Sequence, residues 1–114
     1  MNHHRLKCYG LLLETAKAMP RLLGGLPRGE GYIIDQLKRA LSSAILNLSE
    51  GNGRSSPRER ARFFDISMAS VSECMSCLDI LEAYDLASVS VLSALRSNLK
   101  LSNAMIWGLK NRQI

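Results

Sequence analysis

A chain of 114 residues and 12.6 kDa has the length of one domain, long enough to bury a core without staples. With 46% apolar and 22% charged residues it is not a disordered chain, and its uncharged stretch Leu86–Leu95, broken by serines, is far too short to span a bilayer. Fifteen bases against ten acids give a net charge of +5, and three cysteines, an odd number, argue against a disulfide framework and for a reducing compartment.

No run alternates with period two, so no strand is expected. Helical periodicity appears in four places. The first stretch, about 5–23, puts Tyr9, Leu12, Ala16, Met19 and Leu23 on one stripe, with Pro20 expected to kink or end it and Gly24-Gly25 to stop it. The second, about 27–50, carries Ile34, Leu37, Leu41, Ala44 and Leu48, and Gly51 suits the left-handed position after its end. The third has the clearest start: Ser56-Pro57-Arg58-Glu59 reads as cap, first-turn proline and capping-box acid. It is predicted to run to Tyr84, roughly 42 Å of helix, with Phe63, Phe64, Val71, Met75, Leu78 and Leu81 as its apolar contacts. The fourth follows Ser88, spans about 89–111, and has two apolar stripes. Leu92, Leu95, Leu99, Ile106 and Leu109 form one, and Val91, Ala94, Leu101 and Met105 the other. The expectation is an all-α, antiparallel up-down four-helix bundle in one domain, residues 1–114.

Charge is unevenly distributed along this frame. Residues 1–62 sum to +6, residues 63–95 hold five acids and no base, and residues 96–114 sum to +4; ten of the fifteen bases are arginine. Folding the chain up and down brings Arg5, Lys7, Arg54, Arg58, Arg60, Arg62, Lys110 and Arg112 to one end, with His3 and His4 nearby and only Glu50 and Glu59 against them. Arginine gives phosphates paired donors, so nucleic acid is the expected partner of that end; a solvated surface that merely keeps the chain soluble is the bland alternative. Few aromatics are available for base stacking, so contact should be led by backbone and shape.

The second helix carries a polar stripe, Gln36, Ala40, Ser43, Asn47 and Glu50, about 120° from its apolar one. Ser67, Ser70, Cys74 and Cys77 repeat that spacing on the third, with Glu73 on the flank. A ligand cluster and a satisfied network that fixes helix register are the two readings, and the second is favoured.

These blocks carry a resemblance. Asp35-Gln36-Leu37-Lys38-Arg39-Ala40, then Ser43, then Asn47-Leu48-Ser49-Glu50-Gly51, followed by Phe63-Phe64 and Ser70-Val71-Ser72-Glu73, resemble the signature of the bacterial four helix bundle protein family. Its first members were found encoded in intervening sequences of large-subunit ribosomal RNA genes, and the resemblance covers about residues 5–110. That family is similar in turn to the accessory variability protein of diversity-generating retroelements, a basic homopentamer that binds nucleic acid and a reverse transcriptase. The resemblance therefore implies a ring, a pentamer at one remove, with a nucleic-acid role and a possible reverse transcriptase or other protein partner. Asn47, Glu50 and Glu73 carry over as structural residues. Where the family usually has Ala, a basic residue and Gly, this chain has Ser67, Met68 and Ala69, which removes one candidate cation in mid-helix.

Catalytic and metal chemistry finds little footing. The histidines, His3 and His4, lie outside the bundle, so no Glu-x-x-His di-iron set can form, and Cys74-Met75-Ser76-Cys77 lacks a second pair for zinc. The Gly51-Asn52-Gly53-Arg54 turn could hold a phosphate at a helix start, or simply be a turn. The expectation is a cytoplasmic, non-enzymatic accessory protein without cofactor or metal that contacts RNA or DNA phosphates. Arg54, Arg58, Arg60 and Arg62 are its principal contacts, aided by Arg39, Lys110 and Arg112. Gln36, Ser43, Asn47, Glu50, Ser70 and Glu73 are its structural polar network. The alternative is a protein-interaction scaffold whose partner docks on the apolar fourth helix.

Overall fold

The structure is a computed structural model that describes residues 6–112, the side chain of Leu22 excepted. His3, His4 and Arg5 lie outside the described residues. Within them the chain forms four helices, α1 (Lys7–Leu23), α2 (Gly31–Gly53), α3 (Pro57–Ala83) and α4 (Val89–Asn111), and no strand. Each helix packs on two neighbours: α1 on α2 and α4, and α3 on α2 and α4, with α2 against α3 the most extensive pairing. The bundle measures 46 × 21 × 20 Å. Its long axis is close to the rise of α3, about 40 Å at roughly 1.5 Å per residue.

Local chemistry sets the helix ends. The Ser56 hydroxyl accepts the Glu59 N–H at 3.3 Å ahead of Pro57, and the Ser88 hydroxyl accepts the Val91 N–H at 3.3 Å. Pro20 sits inside α1 without ending it, and the helix runs on to Leu23. The start of α2 falls at Gly31, later than the expected 27, because Gly29 has φ +95°, which no right-handed helix accommodates. Its end runs past Glu50 to Gly53. Gly51 is therefore helical and buried rather than a left-handed stop.

The core is aliphatic along the stripes of all four helices, with Leu12, Leu37, Leu48, Phe64, Leu78, Leu92, Leu99 and Ile106 fully enclosed. In α2 it is Ile33 that is buried, with Ile34 only partly so; in α3, Phe63 is half-buried beside the enclosed Phe64. Cys8, Cys74 and Cys77 are buried free thiols. Burial, helped by Cys77 and Glu73, pushes the Cys74 thiol up to about 12, so it stays protonated at neutral pH and acts as a small apolar packing group.

Beyond α3 the chain turns through Asp85, whose φ is +56°. The Leu86 N–H returns to the Leu81 carbonyl at 2.9 Å and closes the helix end around that left-handed residue. A non-glycine residue costs about 1 kcal/mol in that region. Asp85→Gly is expected to raise stability by roughly 0.5–1 kcal/mol, read as a higher urea midpoint at unchanged slope.

Candidate nucleic-acid interface

The α2–α3 corner is built on aromatic rings. The Arg54 guanidinium lies 5.0 Å from the Phe63 ring centroid and that of Arg62 lies 4.7 Å from the same centroid. Such stacking holds a guanidinium by its face and leaves its N–H edge for an anion. Phe63 is the residue that the sequence undervalues, because it reads as an apolar contact of the third helix like Phe64; the signal is its position beside Arg62, with Arg54 just across the turn.

Each expected cation has a distinct setting. Arg58 is exposed in the first turns of α3. Arg54 donates to Glu50 Oε2 at 2.7 Å and lies 3.9 Å from Glu59, so two carboxylates share its charge. Arg60 turns inward: its Nη1 donates to the carbonyls of Asn52 at 2.8 Å and Arg54 at 3.0 Å, with its guanidinium 5.5 Å from the Phe64 centroid. It ties the end of α2 to α3, filling acceptors that the helix end leaves open. Lys110 bridges α4 to α3 through Asp65 Oδ1 at 2.7 Å. Arg112 is exposed at the end of α4. Arg39 stands apart in mid-α2, fifteen residues before Arg54 and so about 22 Å along the helix, with Gln36 Oε1 at 3.5 Å.

Sequence reasoning missed the extent to which the acids of α3 meet the bases of α4. Arg96 donates to Glu82 at 2.6 Å and to Asp79 at 2.8 Å, and this pairing raises the guanidinium pKa further. With Lys110–Asp65, two of the four bases of residues 96–112 are matched inside the bundle. Part of the charge asymmetry along the chain is thus an interhelical pairing pattern.

The polar stripe forms a ladder between α2 and α3. The Gln36 amide donates to Glu73 and the Ser43 and Ser70 hydroxyls meet at 2.8 Å; Asn47 stays within α2, its amide donating to the Ser43 carbonyl at 2.8 Å and to the Ser43 hydroxyl at 3.2 Å. Ser67 closes it by donating to the Ala44 carbonyl at 2.6 Å. Glu50 does not join: one turn beyond Asn47 it is exposed, and its carboxylate goes to Arg54. The ladder ties two helices in one register and contains no nucleophile paired with a base.

Among the described residues no group of three His, Cys, Asp or Glu side chains is placed to hold a metal, and no helix is long and apolar enough to cross a membrane. The family model described as 23S rRNA-intervening sequence protein matches residues 4–108. No curated protein matches the chain.

Proposed function

We propose a function for a chain that belongs to the 23S rRNA-intervening sequence protein family: it is a cytoplasmic, non-catalytic accessory protein that grips RNA by its phosphates at the α2–α3 corner. The observation that carries this reading is the pair of guanidiniums, Arg54 and Arg62, stacked on Phe63 next to exposed Arg58. Stacked arginines meet phosphates with paired donors and lose little freedom in doing so. Arg58 and Arg62 take the leading role, Arg54 shares its charge with Glu50 and Glu59, and Arg112 extends the same end of the bundle. Arg60 and Lys110 act through the geometry they hold rather than by contact.

The test is RNA affinity across a salt series. We expect affinity to fall steeply with salt, and Arg58→Gln to flatten the log–log slope by about 0.7–0.9 on any sequence. Affinity that ignores salt, or a slope unchanged in Arg58→Gln, would set this reading aside.

A second reading is favoured by α4, where Leu101 and Trp107 are half or more exposed. Apolar side chains there suit a protein partner or self-association into a ring. Scattering mass on the same samples separates the readings: a ring that shifts no RNA supports the scaffold.

A further inference from the structure

Opposite the corner, at the same end of the bundle, a groove of about 460 Å³ opens between the start of α1 and the end of α4. Its floor is apolar, from Leu6, Met105 and Leu109, and Lys7 and Arg112 are the charged residues that line it. Among the described residues no carboxylate lines it. Leu6, the N-cap of α1, has no hydrogen-bonding side chain, and the first turn of that helix holds no acidic residue. The positive end of the α1 dipole meets the negative end of α4 at the groove, so it is the two cations that give the site its positive charge.

Gly108 makes the groove possible. It lies inside α4, where a glycine is a net cost, yet a Cβ built there meets nothing within 4 Å. No packing among the described residues calls for that glycine. What it leaves is room, and it leaves it on the groove wall.

We propose that this groove binds a small amphiphilic carboxylate of the fatty-acid class. The apolar body lies along Met105 and Leu109, and the carboxylate sits between Lys7 and Arg112 at the start of α1. At roughly 30 Å³ per water-sized group, the volume takes about fifteen heavy atoms. It falls within the range of small-molecule pockets, which are mainly apolar with a few polar groups that fix orientation. The proposal rests on α1 and α4 rather than on the α2–α3 corner, and shares only Arg112 with the RNA reading.

The probe is dodecanoate, titrated calorimetrically below its micelle concentration, with dodecanol as its uncharged counterpart. One dodecanoate per chain is expected, and dodecanol should bind about three- to tenfold more weakly, as should dodecanoate to Lys7→Gln/Arg112→Gln. Gly108→Leu fills the groove while keeping every cation, and should weaken dodecanoate at least tenfold with RNA affinity unchanged. Gly10→Leu is the matched control, because a side chain there also meets open space, and its binding should equal the parent's. Absence of binding to the parent, several equivalents per chain, equal affinity for dodecanol, or undiminished binding in Gly108→Leu would each overturn the assignment. The double cation variant, confined to two exposed side chains, decides the matter even where Gly108→Leu folds poorly.

Discussion

The double variant Arg58→Glu/Arg62→Glu is expected to lose RNA affinity by on the order of a hundredfold at physiological salt while keeping its helicity. A log–log slope of about 0.9 per phosphate contact corresponds to roughly fivefold in affinity per contact at 0.15 M salt. Two lost contacts therefore account for about 25-fold, and the two new carboxylates repel the same phosphates. Both side chains are exposed, so the fold loses little beyond the stacking of Arg62 on Phe63, about 0.5–1 kcal/mol. Arg54 is left alone deliberately. Its reversal would place a third carboxylate beside Glu50 and Glu59, and a loss of binding could then follow from local unfolding. Filter binding at 0.15 M salt, with circular dichroism on the same samples, checks the prediction. Parental affinity in this variant would move the RNA contact away from the corner.

The sequence was most legible where structure follows from neighbours in the chain. Ser56-Pro57 and Ser88 start helices because a hydroxyl two or three residues from a free N–H is a local device. The apolar stripes of α1 and α4 read correctly for the same reason: periodicity is local. Where a distant residue decides, the reading fell short. Gly51 has the composition of a helix stop, but the Phe64 ring and the Phe63 Cβ close over it, and the helix runs on. Arg96 and Lys110 looked like surplus charge until α3 placed Asp79, Glu82 and Asp65 opposite them. Arg60 was counted as a phosphate ligand from its charge, whereas its donors serve the carbonyls that the end of α2 exposes. For the candidate site, the cluster of arginines was legible and the division of labour within it was not. Charge is a property of the residue, but availability depends on which acceptors fold against it.

Gly51→Ala is expected to cost stability, and its neighbour Gly53→Ala to add some, though both replace glycine in the last turn of α2. By helix propensity alone each change gains up to about 1 kcal/mol. At Gly53 a Cβ meets nothing within 4 Å, so that gain should appear as a higher melting temperature. At Gly51 the Cβ would stand 2.8 and 2.9 Å from two ring carbons of Phe64 and 3.0 Å from the Phe63 Cβ. Phe64 has no exposure and no room to retreat, so the helix or the ring must shift, which costs about 1–3 kcal/mol. The net is a loss of roughly 1–2 kcal/mol, and the two variants should differ by several degrees in melting temperature. The consequence reaches the interface, because the residue that crowds Phe63 also moves the platform on which Arg54 and Arg62 are stacked. Gly51→Ala removes no charge, so the salt slope of RNA binding should keep its parental value while affinity falls a few-fold. Loss of affinity with an intact slope would separate the placing of the arginines from their number. Equal melting temperatures for the two alanine variants would instead mean that α2 and α3 yield at this crossing, and that Phe63 is a looser support than its contacts imply.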